Sequence, residues 1–254
     1  VLNSEPISDV VIAISSDDTD ESTVSPGSLT FTSANWDTPQ SVIVTGADDD
    51  LADGTQNSTV TISVVDLSSD DSFDSLADQS FTVTTADNDI AGFTITETNG
   101  STEVDESGDT DIFTVVLDAQ PANDVVLSII SSDTGEATVT STLTFTSTNW
   151  DTAQTVTVTG VDDSLLDGSQ SSIVTISVVD QNTSDEFDAV ADQTVSVSTT
   201  DDDVAGFTIV ELDGSTEVDE SGDTDTFTVV LDAQPDSNVV VAISVSDSSE
   251  SSVN

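Results

Sequence analysis

The sequence predicts an all-β chain built from tandem immunoglobulin-like sandwiches, each of seven antiparallel strands. Three observations point there. The chain repeats itself at a spacing of 114 residues: "NWDT" stands at 35–38 and 149–152, "AGFTI" at 91–95 and 205–209, and "TISVVD" at 61–66 and 175–180. Its apolar runs are rich in Val, Ile, Thr and Phe and alternate with a period of two, as in "TVTVT" and "TVSVS". The runs are short and are parted by Gly, Asp, Asn and Ser turns. A period of this length is too long for a solenoid coil and suits a domain with its own core.

The repeat sets the organisation. Residues 90–203 make one complete copy, 1–89 a partial copy lacking the opening strand region, and 204–254 the N-terminal part of a third. The register slips by one residue where "VSPGSLTF" at 24–31 meets the shorter "VTSTLTF" at 139–145. Val1 is not an initiator Met, so the expectation is a window through a longer chain. Within the complete copy, alternation predicts strands at Phe93–Ile95, Ile112–Leu117, Val125–Ser131, Leu143–Thr146, Thr155–Thr159, Ile173–Val179 and Gln193–Thr199. Reversing direction at each turn gives an antiparallel sandwich, and in "TVTVT" and "TVSVS" the valines take one face and the hydroxyls the other.

Composition narrows the chemistry. The 254 residues include 51 Asp and Glu and no Lys, Arg or His, for a formal net charge of −51. Acidity of that order suggests disorder when apolar residues are scarce, but 35% of this chain is hydrophobic. Phosphate and anionic lipid need basic groups, so nucleic acid is excluded as a partner. No run is long and apolar enough for a membrane span. Enzymatic chemistry is hard to build without His, Cys, Lys or Arg, and the expectation is a non-enzyme. Without Cys there is no disulfide framework. Abundant oxygen ligands point to Ca²⁺ or Mg²⁺ rather than to zinc, copper or iron.

The acids cluster. Alternating strand direction brings four segments to one end of the complete copy. They carry Glu103, Asp105, Glu106 and Asp109; Asp133 and Glu136; Asp162, Asp163 and Asp167; and Asp201, Asp202 and Asp203. Asp favours turns for its own hydrogen-bonding reasons, and Glu103, Asp105, Asp109 and Asp111 read singly as surface charge. Four acidic segments converging without a compensating cation favour a metal, since Ca²⁺ takes about 6–8 oxygen ligands.

The ordered set "VDESGDTDIFTVVLDAQP", "TFTSTNWDTAQTVTVTGVDDSLLDG", "TISVVD" and "TTDDD" resembles the Calx-β family, particularly the tandem copies of very large bacterial surface proteins. The likeness covers essentially the whole chain. It implies seven-stranded sandwiches holding several calcium ions at one end. Carried onto this sequence, it implies Glu106, Asp133, Asp162, Asp163, Asp167, Asp201 and Asp203 as ligands in the complete copy. In the first copy the matching positions are Asp18, Asp48, Asp49, Asp53, Asp87 and Asp89, with Asn88 replacing one terminal acid. The third offers Glu220 and Asp247. The glutamate-rich stretch usual after the Asp-Asp pair is reduced here to Asp167 and Gly168.

Several other signals carry less. "DTG" at 133–135 matches an aspartic-protease tripeptide but falls in a turn. "DDLADG" at 49–54 brushes the EF-hand pattern, yet Val60 stands at its twelfth position. Trp36 and Trp150 read as packing residues. "NST" at 57–59, "NGS" at 99–101 and "NTS" at 182–184 are sequons. The functional expectation is a secreted, cell-surface structural segment, an adhesin stalk or fibre body whose partners are neighbouring copies in the same chain or homopolymer. Only "DDDVAG" separates one copy from the next, so bound Ca²⁺ is expected to stiffen the joint. The alternatives are a filament subunit completed by strand exchange between incomplete terminal copies, and a calcium-sensing module.

Overall fold

The computed structural model describes residues 1–181 and 183–253; Asn182, where one sequon begins, lies outside the described residues. The first copy forms β1 (Val10–Ser16), β2 (Ser22–Ser25), β3 (Ser28–Phe31), β4 (Ile43–Gly46), β5 (Leu51–Ala52), β6 (Gln56–Val64) and β7 (Gln79–Thr85). The middle copy forms β8 (Phe93–Glu97), β9 (Thr102–Asp105), β10 (Thr110–Leu117), β11 (Gln120–Pro121), β12 (Val125–Ser131) and β13 (Ala137–Val139). It continues with β14 (Thr142–Phe145), β15 (Gln154–Gly160), β16 (Leu165–Leu166), β17 (Gln170–Val178) and β18 (Gln193–Thr200). The last segment adds β19 (Phe207–Glu211), β20 (Phe227–Leu231) and β21 (Gln234–Pro235). No described helix is long and apolar enough to cross a membrane.

Two sheets make the middle copy, in the orders β13-β15-β10-β8 and β14-β12-β17-β18-β9. They hold nine strands between them, two more than the seven expected. Each of the seven lies on an expected segment, and the additional pair are β9 and β13. Within these two sheets all pairings are antiparallel except that of β9 with β18. The all-β architecture is as the alternation predicted; the uniform seven-stranded antiparallel pattern is not. The chain leaves one sheet after β8 and joins the other at β9, so the opening segment closes an edge of both.

The core follows from period two. Phe113, Val115 and Leu117 of β10, Leu127 and Ile129 of β12, Val156 and Val158 of β15, and Val174 and Ile176 of β17 face inward and are buried. Fully burying an aliphatic or aromatic side chain of this size contributes about 1.5–3 kcal/mol. Toward one end the inward positions change character, to Ser131, Gly160, Ser172 and Thr199. That end is therefore a shelf of small and polar residues rather than packed hydrocarbon. Gly160 is there because nothing larger fits: a Cβ would stand 1.9 Å from the Asp105 carbonyl oxygen. The close approach draws the end of β9 over the shelf and sets the turn that follows it.

In the first copy one sheet has the order β3-β1-β6-β7, and β2 pairs with β4. Between them Ile12, Ile14, Leu29, Phe31 and Val60 line a groove of about 370 Å³. In the last segment β19 and β20 form a hairpin with Phe207 and Ile209 more than half exposed.

Candidate metal centre

Glu106 is the centre's most unusual residue. It follows β9 directly, its N–H donates to Thr200 O at 3.1 Å, and its side chain is only 1% exposed. Its Oε2 has no hydrogen-bond partner. A buried carboxylate oxygen without a donor is strongly disfavoured unless something positive or a proton stands against it. Burial, then the charges of Asp201, Asp163, Glu136 and Asp167, push the Glu106 carboxyl up to about 7. The chain has no Lys, Arg or His to supply the missing charge.

Carboxylate oxygens of Glu106, Asp163 and Asp203 all lie within 4.8 Å of one another. Among the described residues these three form an acidic cluster able to coordinate a cation. Unit charges at about 4 Å interact by about 1 kcal/mol in water and about 4 kcal/mol near a protein surface. Three mutually repelling pairs at this spacing are a preformed demand for positive charge.

The neighbouring acids divide into those that build the loops and those left free. Asp201 builds: its Oδ2 accepts from the Gly168 N–H at 2.7 Å and its Oδ1 from the Asp203 N–H at 2.8 Å. Asp163 accepts from the Leu165 N–H at 2.6 Å through Oδ1. Asp167 Oδ1 and Asp203 Oδ2 are buried atoms without partners. Burial leads in raising the Asp203 carboxyl, and Asp201, Asp202, Asp162 and Asp163 add to it. Asp133 turns to its own loop, accepting from the Gly135 N–H at 2.9 Å.

Glu136 is the residue that the expected ligand set omits. Its backbone is pinned, with its carbonyl accepting from the Val161 N–H at 3.0 Å, and its Oε2 is a buried atom without a partner. Its carboxyl is raised, first by burial and then by Asp167, Asp133, Asp163 and Asp201. A signal existed in the sequence, because Glu21, Glu136 and Glu250 stand at matching places in the three copies.

The first copy repeats the construction. Asp87 Oδ2 accepts from the Gly54 N–H at 2.7 Å and the Asp53 N–H at 3.1 Å, and its Oδ1 from the Asp89 N–H at 2.7 Å. Asp49 accepts from the Leu51 N–H at 2.8 Å, and Asp48 accepts from the Asn88 side-chain amide at 3.3 Å. Glu21, Asp49, Asp53, Asp87 and Asp89 line one small pocket. Burial raises the Glu21, Asp53 and Asp89 carboxyls, with neighbouring aspartates adding to each. Asp18 instead caps its own turn, accepting from the Asp20 N–H at 3.1 Å. In the last segment Glu220 and Asp247 are exposed, and Asp247 is occupied by the Ser249 N–H and hydroxyl. Among the described residues those two join no acidic cluster.

The centre also touches the following copy. β5 pairs in parallel with β11, and β16 with β21. The β5 and β16 strands lie inside the acidic loops, between Asp49 and Asp53 and between Asp163 and Asp167.

No protein-family model matches the chain, and no curated protein matches it. By structure it is similar to domains 4 and 5 of the S-layer protein SbsC, at 18% identity over 74% of this chain and 70% of that one, with a TM-score of 0.35. Domains 4–9 of SbsC match at 17% identity over 91% of this chain and 29% of that one, with a TM-score of 0.36. SSP-19, an MSP-domain protein like family member in Caenorhabditis elegans, matches at 17% identity over 40% of this chain and 92% of that one, with a TM-score of 0.28. Likenesses this distant carry no argument about activity, partners or location.

Proposed function

We propose that this chain is a calcium-binding structural segment of an extracellular rod or filament. In this reading, Ca²⁺ at the acidic end of each Calx-β-like copy stiffens the joint to the next. One observation carries it: a buried glutamate, Glu106, with an unpartnered oxygen stands among the carboxylates of Asp163 and Asp203 in a chain lacking any cationic side chain. An all-carboxylate donor set suits Ca²⁺, whose larger shell accepts many oxygens in flexible geometry, better than Mg²⁺, which keeps its waters. Glu106, Asp163 and Asp203 would bind directly, Glu136 and Asp167 would complete the shell, and Asp201 would fix the loop. The first copy would use Glu21, Asp49, Asp53 and Asp89 around Asp87. A cell-surface setting agrees with the absence of every Lys and Arg that trypsin-like proteases cleave.

The test is calorimetric melting across a calcium titration at matched ionic strength. Binding to the folded state alone adds about 2.7 kcal/mol at a hundredfold excess over Kd, so the transition should climb continuously with free Ca²⁺. A transition that responds equally to sodium chloride would show simple charge screening and remove the proposal.

A further inference from the structure

The acidic loops are also the docking elements between copies. In the first, Leu51 and Ala52 pair with Gln120 and Pro121, and the Gln120 N–H donates to Asp50 O at 2.7 Å. In the second, Leu165 and Leu166 pair with Gln234 and Pro235, and the Gln234 N–H donates to Ser164 O at 2.6 Å. The same contact is thus built twice in one chain. At the first joint the contact reaches hydrocarbon: Ala52 is 3% exposed and belongs to the middle copy's hydrophobic cluster, with Phe93 and Ala119.

Both ends of this docking strand are held by site carboxylates. Asp49 accepts from the Leu51 N–H, and Asp87 accepts from the Asp53 and Gly54 N–H groups. Two paired residues are too few to hold a position by themselves. Their placement depends on loop carboxylates that repel one another when no cation stands between them.

We propose that the loop 48–54 is a coupler, in which cation binding by its aspartates and docking of Leu51–Ala52 on the next copy form one linked equilibrium. The inference rests on the calcium reading above and names the contact through which an ion reaches the joint. Linkage is reciprocal, so the ion strengthens docking and docking strengthens the ion by the same factor. A copy whose end is undocked therefore binds calcium more weakly than one inside an array.

The test uses amide resonances of the whole chain. Gly54 N–H reports the first site, and Gly168 N–H, bonded to Asp201, reports the middle site as an internal control. Gln120→Pro removes the docking donor from the far side of the joint and leaves every acidic loop intact. It should raise the calcium midpoint at Gly54 by about fivefold or more without moving the midpoint at Gly168. Ala52→Asn, which withdraws the apolar contact without adding charge, should do the same and guards against misfolding of the first variant. Conversely, Asp49→Asn with Asp53→Asn should abolish calcium-dependent exchange protection at the Gln120 amide, one copy away. An unchanged Gly54 midpoint in both docking variants, or full protection of Gln120 in the aspartate variant, overturns the coupling and leaves the calcium reading standing. A wild-type chain in which neither Gly54 nor Gly168 responds to calcium overturns both.

Discussion

Replacing Glu106 by Gln should move the cation-free and calcium-loaded protein in opposite directions. In the folded chain the Glu106 carboxyl sits at about 7 against an ordinary 4.5, raised chiefly by burial. The folded state therefore holds the proton more tightly than the unfolded chain. Stability falls as pH rises through that window, and above it the whole penalty of a buried, unpaired charge is present. One pKa unit corresponds to about 1.4 kcal/mol, giving a ceiling of about 3 kcal/mol, and solvent screening reduces this to about 1–2 kcal/mol. Gln keeps the shape and removes the charge. In chelator at pH 8 the middle copy of the variant should melt higher, by about 4 °C for each kcal/mol in a unit of this size. Near pH 4, where Glu106 is protonated in both states, the advantage should vanish. In saturating calcium the order should invert, because the variant has lost an ionic ligand. Differential scanning calorimetry in these three conditions decides the matter. A variant that melts below wild type in chelator at pH 8, or gains as much from calcium as wild type, would refute the reasoning.

Other substitutions separate the roles of neighbouring residues. Glu136→Gln should weaken calcium binding more than Asp133→Asn does, since Glu136 has an unpartnered oxygen and Asp133 already serves its own turn; calorimetric titration of both checks this. Gly160→Ala should destabilise the middle copy by about 1–3 kcal/mol in denaturant melts, as overpacking does, because its Cβ meets the Asp105 carbonyl. Asp70 behaves in the sense opposite to Glu106. The Ser72 hydroxyl, then the Ser8, Ser72 and Ile7 N–H groups, hold its carboxyl well below the usual range. Its contribution is therefore complete above the ordinary carboxylate range and is lost as pH falls below it, and Asp70→Asn should abolish that acid sensitivity in exchange at Ile7 and Ser8. Ser58→Ala should cost about 0.5–1.5 kcal/mol by removing the 2.6 Å partner of the buried Ser22 hydroxyl, which keeps Ser16 at 3.1 Å, whereas Ser172→Ala should be neutral or better. Ala137 stands in the middle copy where Ser22 stands in the first, which leaves the Ser172 hydroxyl without that partner.

Most of the strands that alternation made legible hold at least two buried apolar residues, such as Val156 and Val158 or Val195 and Val197, while β8 holds one, Phe93, beside a half-buried Ile95. β9 escaped because Thr102 and Val104 alternate with Glu103 and Asp105, and the density of acid hid the period of two. β13 is three residues long and holds one buried alanine, too little pattern to read. Convergence of the acidic segments was legible from strand direction, and Glu106, Asp163 and Asp203 do meet. The ranking of acids within a turn was not. Whether Asp133 or Glu136 stays free depends on which carboxylate the local N–H groups capture, and only the folded loop decides that. The docking strands were invisible for a simpler reason: two residues have no period.

The central claim is that calcium turns a loosely jointed chain into a stiff one. Small-angle X-ray scattering of the whole chain, at one ionic strength with calcium or with chelator, tests it most directly. The account predicts a longer maximum dimension and a rigid-rod profile in calcium, with a shorter, flexible profile in chelator that reverses on adding the ion back. Superimposable profiles in the two conditions, from a chain shown by calorimetry to bind calcium, would contradict it.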